Sequence, residues 1–123
     1  MDKKVLYSAG ALLFNGKMES FNSKIYGLLK KVPKGKVTTY KILAEAAGTK
    51  AYRAVGQAMN RNPYGILRCK GRKMVPCHRV VASNGHLHGF AHGLKTKAEL
   101  LRKEGIEIKN KKVANFGKAL FRF

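Results

Sequence analysis

Thr38-Thr39-Tyr40-Lys41-Ile42-Leu43-Ala44-Glu45-Ala46-Ala47-Gly48, followed closely by the run from Ala51 to Arg61, is the stretch that decides the fold. In the first run a hydroxyl residue stands where a helix needs its N-cap, and a glycine closes the far end. The second run reads as another helix, stopped by Asn62-Pro63 because a residue before proline is pushed out of the helical region. Two short helices around a tight turn predict a helix-turn-helix. That pattern alone is weak, since many helical hairpins bind nothing. The content of the second helix adds to it: Ala51, Ala54, Gly56 and Ala58 are small, and Lys50, Arg53 and Arg61 are basic. Glycine inside a helix costs about 1 kcal/mol against alanine, so Gly56 predicts close approach of another helix or of a nucleic-acid backbone. The basic neighbours favour the second.

Upstream, Phe21, Ile25, Leu28, Leu29 and Val32 fall on one helical face, with Ser20 or Asn22 as cap and Pro33-Lys34-Gly35 as the end. Residues 4–19 read as a hairpin around Asn15-Gly16. The basic start Lys3-Lys4 before an apolar run imitates a signal peptide, but that turn argues for strand, turn, strand. Downstream, Ile66 to Val75 reads as a small basic hairpin, and Asn84-Gly85 as a turn. Gly89 and Gly93 bracket a loop able to approach a ligand closely. Leu94, Ala98, Leu101 and Leu100 give a last helix up to Glu104, with Gly105 at its end. Ile106, Ile108 and Val113 suggest a short strand before a basic tail. The expected class is α/β, mainly α: a small winged-helix-like domain with a helix-turn-helix and short β-hairpins.

The chain has 123 residues, about one domain, and 45% hydrophobic residues, enough for a globular core. Its charge is extreme: 26 Lys+Arg against 6 Asp+Glu, formal net +20. Such an excess repels itself and makes sense mainly with a polyanionic partner, nucleic acid first and an acidic membrane surface second. No apolar run reaches 18 residues, so no segment reads as a membrane span. Two cysteines, one beside a histidine, fit a reducing cytosol better than a disulfide framework.

The chemistry concentrates in Met74-Val75-Pro76-Cys77-His78-Arg79-Val80-Val81. A thiol becomes a nucleophile when a neighbouring base or positive charge favours the thiolate. Imidazole and guanidinium are sequence neighbours of Cys77, so the ingredients are present. A bare Cys-His pair more often means a buried cysteine beside a solvent-facing histidine, because adjacent side chains need not face each other.

These features together resemble the C-terminal domain of the O6-alkylguanine-DNA alkyltransferases, the methylated-DNA–protein-cysteine methyltransferases. The resemblance runs from about Phe21 to Ile108 and centres on Pro76-Cys77-His78-Arg79-Val80. In order it also takes in Gly35-Lys36-Val37-Thr38-Thr39-Tyr40, Arg53 to Met59, Asn62-Pro63, Ser83-Asn84-Gly85, Gly89-Phe90, Gly93-Leu94, and Leu100-Leu101 through Glu104-Gly105. It implies irreversible, stoichiometric transfer of an alkyl group from O6 of a damaged guanine to Cys77. His78 would act as base through a water, Glu104 would orient it, and Tyr40 would donate a proton as guanine leaves. Asn62 matches the residue that fixes the turn between recognition helix and active-site loop. The target carbon is inaccessible in the stack, so the nucleotide must be flipped out. Arg53 matches the finger that fills the vacated space, on a helix laid in the minor groove with Ala51 and Gly56 keeping it thin. Tyr40, Lys41, Lys50 and Ser83 fall where the family touches DNA, and groups at Val80, Phe90 and Ala91 would read the base. The implied partner is double-stranded DNA containing O6-alkylguanine, met by a monomer in the cytoplasm, with no cofactor, no metal and no membrane.

Three departures qualify the resemblance. Only about 20 residues precede Phe21, so residues 1–20 would stand in for a larger N-terminal domain, ahead of the working domain 21–110 and the basic tail 111–123. Asn62 to Cys77 is longer than the family's usual spacing, with Arg68-Cys69-Lys70-Gly71-Arg72-Lys73 resembling an insertion that adds DNA contacts. Phe90 and Ala91 replace the commoner Tyr and Ser of the substrate loop. The main rival is a lesion-sensing protein of the small alkyltransferase-like kind, which lacks the cysteine. A second is a zinc protein using Cys69, Cys77, His78, His86, His88 and His92, but the cysteine separation is not the usual one. A generic RNA binder would leave Pro76 to Val80 without a reason.

Overall fold

The computed structural model describes residues 5–7, 11–14, 17–90 and 92–123, with side chains from Ser20 onward; Ala91 lies outside the described residues. Strands β1 (Val5–Tyr7), β2 (Ala11–Phe14) and β3 (Lys17–Ser20) form an antiparallel sheet in that order. Phe14 pairs with Lys17, so β2 and β3 flank Asn15-Gly16, while those two residues are themselves outside the described set. Ser20 leads directly into α1 (Phe21–Leu29) and caps it, its hydroxyl accepting from the Ser23 amide at 3.1 Å. The buried face of α1 is Phe21, Ile25, Leu28 and Leu29. The helix stops short of Pro33, because Lys31 and Val32 tighten into three-residue turns onto the Leu28 and Leu29 carbonyls.

Strand β4 (Thr38–Thr39) opens the helix-turn-helix, α2 (Tyr40–Ala46) and α3 (Tyr52–Asn60). Thr39 Oγ1 accepts from the Ile42 amide at 3.0 Å, the cap its position predicts. Gly48 takes the left-handed conformation (φ 78°) that ends α2. Strand β5 (Val80–Val81) pairs in parallel with β4, Thr38 against Val80 and Thr39 against Val81. This short pairing sets the Cys77 segment beside the start of α2.

Two apolar clusters hold the domain. Ile25, Leu29, Leu43, Val55, Ala58 and Val80 join the first three helices. Val37, Val81, Leu87, Leu101, Ile106 and Ile108 form the other, beneath α4 (Leu94–Lys103). A hairpin of β6 (Ile108–Lys109) and β7 (Lys112–Val113) turns through Asn110 and Lys111, both at positive φ. Helix α5 (Phe116–Ala119) follows, and the basic C-terminal stretch returns to Val37, whose carbonyl accepts from the Phe121 amide at 2.7 Å. The domain is thus mainly helical with small sheets.

The basic hairpin expected over Ile66 to Val75 does not form. Arg68 and Cys69 both donate backbone N–H to the Gly65 carbonyl (2.9 and 2.8 Å), and Gly71–Lys73 is a single 3₁₀ turn. A two-stranded hairpin needs an apolar face to bury. Here Leu67, Arg68, Lys70, Arg72 and Lys73 are all exposed.

Candidate active site

Cys77 begins a 3₁₀ turn, Cys77–Arg79, that leads into β5. Its amide donates to the Val75 carbonyl at 2.8 Å and the Arg79 amide to the Pro76 carbonyl at 3.0 Å, so the turn is closed by its own backbone. The turn sends its first side chain one way and the next two the other. Cys77 is partly exposed and lines a pocket with Tyr40, Asn60, Asn62, Leu67 and Phe90. His78 and Arg79 are buried.

Inside, both basic side chains meet Glu104 at the C-terminal end of α4. Arg79 donates from Nε to Oε1 (2.9 Å) and from Nη2 to Oε2 (2.6 Å), a two-pronged grip, and its Nη1 donates to the Val32 carbonyl at 2.9 Å. His78 Nε2 lies 3.1 Å from Glu104 Oε2. Burial would raise the Glu104 pKa, but the hydrogen bonds from Arg79 and His78 and their charges outweigh it and bring it to about 2. Glu104 is therefore a carboxylate, able only to accept, so His78 must carry its hydrogen on Nε2. That leaves Nδ1 as the basic nitrogen, buried and without a hydrogen-bond partner among the described residues. The Arg79 guanidinium, read from sequence as a neighbour able to activate the thiol, is committed to Glu104 and Val32 instead.

Tyr40, the first residue of α2, reaches the same pocket. Burial, with a smaller contribution from the negative charge Cys77 can carry, pushes its phenol to about 12, so it remains a hydrogen-bond donor. Asn62 spans the segment before Cys77: Nδ2 donates to the Val75 carbonyl at 3.0 Å and Oδ1 accepts from the Tyr64 amide at 2.9 Å. The long loop between Asn62 and Cys77 thus starts and finishes on one asparagine. Phe90 lines the pocket, with His92 edge-on to it at 5.4 Å. Val80 is fully buried and does not line the pocket.

The Val80 carbonyl shows what sequence reading missed. It accepts from Lys97 Nζ at 2.6 Å, as does the Leu87 carbonyl, and the Gly89 carbonyl accepts at 3.2 Å. Lys97 is fully buried, and its three N–H donors match three backbone acceptors that tie α4 to β5 and the substrate-side loop. Burial lowers its pKa to about 8, while the nearby Cys77 acts in the other direction. Helical spacing held the signal: Lys97 falls on the Leu94, Ala98, Leu101 face of α4.

On the outer side, Tyr40, Tyr52, Arg53, Gly56, Gln57 and Asn60 line a hollow that shares Tyr40, Asn60 and Gly89 with the Cys77 pocket. Among the described residues a Cβ on Gly56 would meet nothing within 4 Å, so no described helix packs there and that face is open. Arg53, Lys41, Lys50 and Ser83 are exposed, and Ala51 is partly so. The histidines weighed for zinc are dispersed: His88 lies edge-on to Tyr40 at 5.7 Å, His92 sits against Phe90, and His78 is bound to Glu104. No group of three or more possible metal ligands occurs among the described residues.

Fold and site define a helix-turn-helix domain with a cysteine-bearing pocket opening beside its second helix. The chain belongs to the family described as 6-O-methylguanine DNA methyltransferase, DNA binding domain, whose profile matches residues 20–106. A methylated-DNA–protein-cysteine methyltransferase of Metallosphaera sedula is 47% identical over 90 residues, covering 73% of this chain and 52% of that protein. The O6-methylguanine-DNA methyltransferase structure from Pyrococcus kodakaraensis is 45% identical with a TM-score of 0.61, over 72% of this chain and 47% of that one. The Atl1 structure from S. pombe, in complex with damaged DNA containing O6-carboxymethylguanine, is 28% identical with a TM-score of 0.65, over 83% and 94%. The chain spans about half the length of the methyltransferases it matches.

Proposed function

We propose that this protein repairs DNA by accepting, once per molecule, an alkyl group from O6 of guanine onto Cys77. The observation that carries the reading is the split turn: Cys77 faces an accessible pocket with Tyr40 and Asn62, while the adjoining His78 is fixed by Glu104. In the reaction the Cys77 proton passes through a water to His78 Nδ1. The sulfur then attacks the alkyl carbon, an S–C bond forms, the C–O6 bond breaks, and its electron pair returns to the purine. The purine takes up a proton, for which Tyr40 is the donor on the pocket wall. Glu104 holds the imidazole in the required tautomer and balances its charge, and Asn62 fixes the segment that presents Cys77. This is the nucleophile, base and orienter arrangement of covalent catalysis, run to a stable thioether.

The duplex lies along the open face of α3, with Arg53 in the space left by the flipped nucleotide and Ala51 and Gly56 keeping the helix thin. Lys41, Lys50 and Ser83 flank it, Phe90 on the pocket wall meets the base, and the buried Val80 borders the site through its backbone carbonyl alone. The Val80 carbonyl keeps a second lone pair beside the one given to Lys97. Residues 21–110 carry both activities in this reading, flanked by 1–20 and 111–123. The protein acts as a monomer in the cytoplasm, where a free thiol persists. No helix among the described residues is long and apolar enough to cross a membrane.

The second reading, a lesion-sensing binder, is favoured by the overlap with nearly the whole Atl1 chain. Intact mass after mixing with a duplex carrying one O6-methylguanine separates the two. Transfer predicts a gain of one CH2 that Cys77→Ala abolishes and Cys69→Ala retains. Lesion-selective binding without mass gain would establish the sensor instead.

A further inference from the structure

The segment from Tyr64 to Met74 is left over by this assignment. Of the six residues Arg68 to Lys73, four are cationic and exposed, and none of the four pairs with a carboxylate among the described residues. The whole stretch between Glu45 and Glu99 contains no acidic residue but ten Lys and Arg. Like charges this dense repel one another, which destabilises the free loop unless something anionic covers it.

The segment is nevertheless held in place rather than trailing. Its two ends close on Asn62 and on each other, with the Val75 amide donating to the Tyr64 carbonyl at 2.7 Å. Within it the Gly65 carbonyl accepts two amides and the Gly71 carbonyl accepts the Met74 amide at 3.2 Å. Its base abuts the thiol: a Cβ on Gly65 would lie 3.7 Å from Cys77 Sγ. Ile66, Leu67 and Arg68 line the pocket together with Asn60 of α3 and with Phe90 and His92. The pocket adjoins the open face of α3, so the loop stands at the rim of the same surface.

We propose that residues 64–74 form a second DNA-binding arm, whose cations take backbone phosphates beside the nucleotide that enters the pocket. This rests on the reading that duplex DNA lies along α3. Helix α3 then holds one side of the strand and the loop the other, with the pocket mouth at the base of the loop. Phosphate contacts carry no sequence information, which suits a protein that must find damage in any sequence. They also confer affinity in a measurable way, because each neutralised phosphate releases counterions.

The test is the salt dependence of binding to an undamaged duplex, followed by fluorescence anisotropy, for the parent and for Lys70→Gln/Arg72→Gln/Lys73→Gln. Neutralising three phosphate contacts should flatten the slope of log K against log salt by about 2 to 3. Alkyl uptake from the free base O6-benzylguanine, which needs no phosphate contact, should proceed at the parent rate and shows that the variant is folded. Lys34→Gln/Lys103→Gln/Lys118→Gln, around a hollow at Gly35 and Gly105 that shares no residue with the pocket, controls for net charge. It should leave the slope within one unit of the parent. An unchanged slope in the loop variant, with Arg53→Ala still weakening binding, overturns the arm and leaves the helix-turn-helix reading standing. Equal flattening in both triple variants overturns it as bulk charge. A parent that binds no duplex overturns the arm together with the reading beneath it.

Discussion

His78 and Arg79 are cationic or potentially so, and they face inward; Arg68, Lys70, Arg72 and Lys73, a few residues earlier, face water. The inner two are buried against the ionised Glu104, with every N–H of theirs that the network describes directed at a carboxylate or carbonyl. The outer four meet no carboxylate among the described residues. The comparison divides a net charge of +20 into two kinds of work. Buried charge here is matched closely and fixes geometry, because an unpaired ion in a low-dielectric site is intolerable. Exposed charge is left unmatched, which costs little in water and keeps it available to phosphate.

Glu104→Gln breaks the inner half of that contrast and should have the largest effect. It keeps the shape but leaves the Arg79 guanidinium buried without its anion, a loss of about 3–5 kcal/mol of stability. Urea unfolding at neutral pH measures it directly. The same substitution carries a pH signature. The Glu104 pKa in the folded protein, about 2, lies below the ordinary 4.5. Its contribution is therefore complete above about pH 5 and is lost as pH falls through 4.5 toward 2, since the unfolded chain binds the proton first. The parent should lose stability across that window by more than Glu104→Gln does. Equal acid sensitivity would mean that other carboxylates dominate.

Lys97→Met sharpens the rule by testing a buried cation matched to carbonyls rather than to a carboxylate. The thioether fills a similar volume but leaves the Val80, Leu87 and Gly89 carbonyls short of a donor. Relief from burying the ammonium offsets part of that, so about 1–3 kcal/mol is expected from denaturant unfolding. Alkyl transfer should slow as well, because two of those carbonyls belong to the loop and strand that border the pocket. Transfer at the parent rate would confine Lys97 to a structural part.

How legible these features were in the sequence follows from how local their causes are. The caps at Ser20 and Thr39, the stop at Gly48 and the apolar face of α1 each depend on residues within one or two turns. They could be read in order along the chain. Cys77 and His78 stood out as a thiol beside an imidazole, but Glu104 was found only through the resemblance, since nothing in the spacing shows that α4 delivers a carboxylate to the Cys77 turn. The inward direction of Arg79 depends on the parallel pairing of β4 with β5, which periodicity cannot reveal over two residues. The hairpin expected at Ile66 to Val75 failed for a related reason: Leu67, Arg68, Lys70, Arg72 and Lys73 are exposed, and among the described residues nothing covers one face of the run. Lys97 was not singled out in the sequence, although its helical position is on the core side of α4.

The smallest predicted effect concerns the outer surface. Gly56 sits mid-helix in α3, where alanine would ordinarily be preferred by about 1 kcal/mol. Nothing among the described residues fills the space before it, so Gly56→Ala should raise stability by up to about that amount in thermal unfolding. If the open face is where DNA lies, the added methyl holds the backbone away and duplex affinity should fall severalfold, while uptake from O6-benzylguanine stays as it was. Stability and affinity then move in opposite directions, which a merely structural glycine would not produce. A stabilised variant with unaltered duplex affinity would mean that DNA does not approach α3 at Gly56, and the helix would have to meet the groove through Arg53 and Gln57 at a steeper angle.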